Sequence, residues 1–300
     1  FSWLYQNHPL LSDEKKGWSV SFIRELDRTN DSDLFRSDGK GWPLVEGKNF
    51  HQFIPDFEKT TFTVYPKEGL KRTSKHREYR GVNKELHDDV RLAFRNVASS
   101  TNVRSFVACV LPPKCFCPNS SCIVLPRNGV TKPTSTAYMH MIAYLVGIFN
   151  SMIFDFLIRT RISMNLNFFY VHQTPVPASL DGEIVESLIK TSARLSCVDE
   201  RFSKFASALN VQFGSLNMKE RIKLTAKLNA LVARHYGLSR EQLEIILQSF
   251  EGFKDNREIE KMKEINWNDI LIRQFNGEVR KKVLPYFDSL NSQETEVESE

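Results

Sequence analysis

Apolar residues run unbroken from Met141 to Phe149, and then Asn150 and Ser151 interrupt them. The stretch from Thr136 to Arg161 reads as one long helix. On it, Ser151, Asp155 and Arg159 fall one turn apart on one face, with an acid placed to pair with a base. A spanning helix needs about 20 predominantly apolar residues, so the pattern predicts a buried helix with one wet edge and no membrane span. Alternation with β-branched and aromatic residues predicts short strands at "SFVACVLPP", stopped by Pro112 and Pro113, and at "CIVLP". From Gly39 to Tyr65, "PLVEGKNFHQF" and "TTFTVYP" are strand-like pieces broken by glycines and Pro55. "LKRTSKHREYRG" is polar throughout and reads as a loop, and "NLNFFYVHQTPVP" as strand or extended chain held out of helix by its prolines.

After Pro177 the pattern becomes charged and amphipathic. In Met218 to Phe250, Ile222, Leu228, Leu231, Val232 and Tyr236 keep helical spacing, and Gly237 is placed as the stop. Ser239 with Gln242 forms a capping box for a second helix, and Leu238 and Leu243 a hydrophobic staple. No repeat of 20 to 50 residues is visible. The elements together predict an α+β fold. Residues 1–38 read as a connector from something upstream, 39–177 as a mixed domain with short strands and a long buried helix, 178–289 as a helical region, and 290–300 as an acidic disordered tail. The sequence begins at Phe1 with no signal-peptide order of residues, which fits a piece of a longer, cytoplasmic protein.

Composition adds little until its distribution is considered. Net charge is +5, but between Lys71 and Lys114 ten Lys and Arg (71, 72, 75, 77, 80, 84, 91, 95, 104, 114) face four acids (78, 85, 88, 89). Such an asymmetry suits phosphates and base edges, since arginine forks match guanine and phosphate and asparagine matches adenine. The bland reading is solvated surface. Four cysteines between Cys109 and Cys122 raise zinc, but C-x5-C-x-C-x4-C lacks the C-x2-C knuckles that close a site, and a strand cysteine plus a cysteine-bearing turn explains them equally. Asp56, Glu58 and Lys59 resemble the acid and lysine sets of metal-dependent nucleases in the wrong order. Gly39 and Gly41 neither follow an apolar strand nor open a helix, so no dinucleotide or adenosylmethionine cradle is implied. No catalytic residue and no metal ligand is assigned.

In order, "WSVSFIRELDRTNDSDLF", "PLVEGKNFHQF", "RLAFRNVASSTNVRSFVACVLPP", "GIFNSMIFDFLIRTRISMNLNFFYVHQTPVP" and "LNALVARHYGLSREQLEIILQSF" resemble the region after the catalytic domain in adenine-specific DNA methyltransferases of type IIG restriction-modification and related phage-defence systems. The resemblance implies a target-recognition region that reads double-stranded DNA. A separate upstream domain of the same protein would methylate adenine N6 with S-adenosylmethionine, and its Asn/Asp-Pro-Pro-aromatic motif is absent from this sequence. Carried over by position, "EGKNFHQF" is Glu46 to Phe53, and "RNVASSTNVR" places Arg95, Thr101, Asn102 and Arg104. The apolar helix places Asn150, Ser151, Asp155 and Arg159, and "NLNFF" places Asn165 and Asn167, both read as satisfying local backbone groups. The candidate DNA-binding residues are Lys75, Arg77, Arg80, Arg95, Asn102, Arg104, Lys114, Arg159 and Arg161. The rival expectation is a docking domain of a phage-defence complex, favoured by the apolar, capped helices after Met218.

Overall fold

The computed structural model describes residues 2–98, 102–126, 135–162, 166–251 and 272–297. Thr101 and Asn165 lie outside the described residues. The fold is α+β, built on a four-stranded antiparallel sheet of order β1-β6-β4-β5: β1 (Val20–Ile23), β4 (Arg91–Arg95), β5 (Ala108–Leu111) and β6 (Ser121–Pro126). The register pairs Phe22 and Leu92 with Val124, and Ala93 with Ile123 and Cys109. Nearly every strand residue is buried, so these strands are covered on both faces. β1 lies inside residues 1–38. That stretch is therefore part of the sheet and not a connector, its apolar Val20, Phe22 and Ile23 having gone into the common core.

The expected strands in 39–65 shrink to a two-residue pair, β2 (Trp42–Pro43) with β3 (Thr63–Val64), because 47–49 form a turn of 3-10 helix capped by the Glu46 and Asn49 side chains. Of the polar stretch read as a loop, 70–73 are the end of α2 (Pro66–Thr73) and 77–79 a turn of 3-10 helix, the rest being turn; α3 (Asn83–His87) follows it, and the short α1 (Ser2–Asn7) opens the chain. The long apolar helix is two, α4 (Thr136–Phe149) and α5 (Met152–Arg159), bent by 63°. Two side chains cause the break. Asn150 turns its amide to the edge of β5, giving to Ala108 O at 2.9 Å and accepting from Ala108 N at 2.9 Å. Ser151 caps α5 by accepting from Phe154 N at 3.1 Å. No single helix is long and apolar enough to cross a membrane among the described residues, and the bent pair is buried in the core.

"NFFYVH" forms α6 (Phe168–His172), opened by the Asn167 side chain accepting from Phe169 N, where a strand was expected. Beyond it stand α7 (Glu183–Ser196), α8 (Ser203–Ala208), α9 (Met218–His235), α10 (Arg240–Gln248) and α11 (Ile272–Val297). The Ser239 and Gln242 capping box and Gly237 at φ +68° are where the sequence puts them. α9 packs between α7 and α11, and α10 against α5 and α11. α4 crosses α7 so closely at Gly147 that a Cβ there would strike Ser192 Oγ and Leu188. α11 continues to Val297, through most of the residues read as a disordered tail.

Candidate nucleic-acid interface

α2 begins with Pro66 at its first position, carries Glu68 in the first turn and Lys71 and Arg72 in the last, an order that matches the helix dipole. Only Gly69 and Thr73 of it are buried, and its apolar packing is small: Leu70 leans on the cluster of Leu26, Leu44, Val64 and Phe116. Thr73 Oγ1 donates to Asn83 Oδ1 at 2.9 Å, and Asn83 Nδ2 donates to Leu70 O at 2.7 Å, which ties α2 to α3. Both are then anchored to the sheet through Glu25, a carboxylate with no exposed surface.

Glu25 Oε2 accepts from Cys117 N at 2.7 Å, while Oε1 accepts from the Tyr79 hydroxyl and from Arg91 Nη1, with His87 Nε2 3.2 Å away. His76 Nε2 meets Glu25 O at 2.9 Å. Arg91, equally buried, sends Nη2 to Cys115 O at 2.6 Å. Burial pushes the Glu25 carboxyl up, but the Arg91 guanidinium foremost, with His87 and Tyr79, overrides it and holds it down at about 2. Burial and the neighbouring carboxylate raise Tyr79 well above its usual range, so it stays a donor. A single buried charge cluster thus joins β4, the chain after β1, and the whole segment 76–87.

The segment held in this way presents a basic surface. Of the ten bases between Lys71 and Lys114, Lys71, Lys75, Arg77, Arg80, Lys84 and Lys114 are exposed, and none of the six forms an ion pair with a described residue. Lys114 belongs with them because its backbone N donates to His87 O at 2.7 Å, with φ at +60°. Lys71 and Lys84 were not in the candidate set. Their outward position follows from α2 and α3 being helices, which a reading of the segment as loop could not supply.

The remaining candidates do not gather there. Arg104 is 1% exposed, and its Nε donates to Asp155 Oδ2 at 2.8 Å and its Nη2 to Asn150 O and Ser151 O at 2.8 Å. Arg159, 8% exposed, holds Asp155 Oδ1 at 3.1 Å and the carbonyls of Asn102 and Val103 at 2.9 and 3.0 Å. Both guanidiniums lie over the Phe250 ring. Burial removes these two arginines from the candidate set: they clamp 102–106 onto α5. Half-buried Arg95 turns back to Phe50 O and packs near the Phe50 and Phe57 rings, and half-buried Arg161 rests on Tyr5 of α1. Asn102 is half-buried beside Arg159.

All five cysteines are buried free thiols, and burial raises Cys109 and Cys117 well above their usual range and Cys122 to about 12. Among the described residues no three His, Cys, Asp or Glu are grouped to hold a metal ion. Asp56 pairs with Arg201, while the Glu58 and Lys59 carbonyls accept from Asn49 Nδ2.

No family model matches the sequence, and no curated protein does. Among solved structures, the chain is similar to the type IIL restriction-modification enzyme MmeI, solved in complex with DNA, with a TM-score of 0.39 and 10% identity over 86% of this chain. The match spans 35% of that enzyme's length.

Proposed function

We propose that this chain is a duplex DNA-recognition module of a restriction-modification protein, and that the face formed by α2, α3 and Lys114 is where it holds the phosphate backbone. The observation that carries the reading is the anchoring. Five exposed bases without an ion pair among the described residues stand on a short segment fixed to the sheet by a fully buried carboxylate, and Lys114 is tied to it through His87 O, so their spacing is set before DNA arrives. Prepaid ordering lets the charges act as a rigid template, and each phosphate neutralised releases counterions. In this reading base-specific contacts come from other side chains, as phosphate contacts position and do not specify. S-adenosylmethionine and adenine-N6 methyl transfer belong to a separate catalytic domain of the same protein. The docking reading has less to stand on, since the apolar faces of α9 and α10 are covered by α5, α7 and α11.

The test is selection of the protein on a random duplex library at two salt concentrations, followed by binding of the triple variant Lys75→Ala, Arg77→Ala, Arg80→Ala. Wild type should enrich one motif, and the triple variant should flatten the slope of log affinity against log salt by up to about 3, at roughly 0.9 per phosphate contact. Lys219→Ala with Lys223→Ala, two exposed bases of α9, should leave the slope alone. A triple variant with the wild-type slope would overturn this placement of the DNA.

A further inference from the structure

Two neighbouring aromatic side chains stand in solvent on α6. Phe169 is 61% exposed and Tyr170 38% exposed, with their rings 5.7 Å apart and edge to face. α6 is not a frayed end that leaves its apolar residues out by default. Val171 is fully buried, and Phe168 packs edge-on against Phe22 and Phe94 at 5.4 and 6.0 Å. His172 stacks on Phe22 at 4.2 Å. Phe168, Val171 and His172 are i, i+3 and i+4, so the helix has an inward face of its own and presents Phe169 and Tyr170 from the other. The Asn167 cap and the Thr174 hydroxyl on Tyr170 O hold both ends of it. Large aromatics left exposed side by side on an anchored element mark a contact surface.

Charge identifies the occupant. The exposed Arg24 places its guanidinium 4.6 Å from the Phe168 ring centroid. Arg24 and Glu25 are consecutive, and the side chains of successive extended residues leave on opposite faces. Glu25 goes down into the cluster that anchors α2 and α3, its carbonyl meeting His76, while Arg24 goes to the face that carries Phe22 and α6. Arg24 and Glu25 thus join the two surfaces in sequence, Arg24 beside α6 and Glu25 beneath the basic face. A docked protein segment would ask for apolar neighbours at this place. An exposed arginine against the same short helix that carries two solvent-facing aromatic rings asks for a nucleobase with its phosphate.

We infer that Phe169 and Tyr170 form a stacking platform for an unpaired nucleobase, reached by a DNA strand whose backbone is held on α2 and α3. The inference rests on the reading of the basic face given above. A base inside a duplex cannot reach the platform, so the platform favours DNA that contains an unpaired nucleotide.

The probes are two 20-base-pair duplexes, one fully paired and one with a single bulged 2-aminopurine, titrated by fluorescence and by anisotropy. Wild type should bind the bulged duplex about five- to ten-fold more tightly, the low end for one base stacked on an aromatic ring, and should quench the bulged 2-aminopurine. The double variant Phe169→Ala, Tyr170→Ala should lose both the preference and the quenching and keep the wild-type affinity and salt slope for the paired duplex. Phe169→Leu should keep the fold, checked by its melting curve, and lose most of the quenching. Equal binding of the two duplexes by wild type, or a preference that survives in the double variant, overturns the platform and leaves the basic face standing. Absence of binding to either duplex overturns both readings.

Discussion

A carboxylate with no exposed surface has to be answered on every side, and Glu25 is answered by Arg91, His87, Tyr79 and the Cys117 amide. Its folded value of about 2 lies below the ordinary 4.5. The depressed value means that its contribution is fully present above pH 4.5 and is lost as pH falls from there towards 2. A shift of that size corresponds to about 3 kcal/mol. Urea unfolding at pH 3 and at pH 6 should show this loss in wild type. In Glu25→Gln the pH dependence between those points should be flatter, and stability at pH 6 should fall by about 3 to 5 kcal/mol, because Arg91 is left buried without its counter-charge. Equal pH dependence in the two proteins would show that Glu25 is not the group that titrates. None of this was legible in "SFIRELDRT", where Glu25 and Asp27 alternate with Arg24 and Arg28 like any charged surface run. The pairing of Asp155 with Arg159 was legible, because both lie on one helix face. The arrival of Arg104 at the same carboxylate was not, since it comes from 51 residues away in sequence.

At the scale of elements, the sequence announced those that carry an apolar stripe or a cap, and hid those fixed by polar contacts. α9 and α10, the Ser239 and Gln242 capping box and the Gly237 stop followed from spacing alone, whereas the Asn217 and Glu220 box that opens α9 was missed. α2 did not, because its inward side offers little more than Gly69 and Thr73. The one sequence mark it had was Pro66 followed by Glu68. Gly69 stands where the helix comes down on the fully buried Phe116 ring, and a Cβ there would strike three of the ring's atoms. Alanine is a better helix former than glycine by about 1 kcal/mol, which predicts stabilisation if α2 is a free surface helix. The contact predicts the opposite. Gly69→Ala should lower the urea midpoint by the equivalent of about 1 to 3 kcal/mol, the usual cost of overpacking. A raised midpoint would mean that α2 can move off Phe116 at no cost. α6 was misread for a related reason. Five large residues in a row carry no period, and only the Asn167 cap tells helix from strand.

Over the whole molecule, the expected boundaries at 38 and 177 meet a core that runs across both. Trp18 stacks on Tyr144 of α4 with centroids 4.5 Å apart and donates its indole N–H to Pro177 O at 2.9 Å, and Tyr144 donates to the same carbonyl at 2.7 Å. The chain before 38, the long apolar helix and the turn at 177 therefore share one contact. On the far side, Met152 N donates to Asn229 Oδ1 at 2.7 Å, which fixes α5 to α9, and buried Val279, Val283 and Phe287 bring α11 into the same cluster. The hydrophobic pattern could place each of these residues in some core, but it could not say that the cores were one, because nothing in a local period records which faces meet. The consequence is cooperative. Far-UV circular dichroism, weighted towards the helices after 183, and the tryptophan fluorescence of a Trp267→Phe variant, whose remaining Trp3, Trp18 and Trp42 all lie in the first 42 residues, should give coincident unfolding curves in urea. Two separated transitions would mean that the helical region folds alone and that the Trp18, Tyr144 and Pro177 contact is a seam between domains. A single transition predicts, on the proposed placement of DNA at α2 and α3, that bound duplex shifts both curves together.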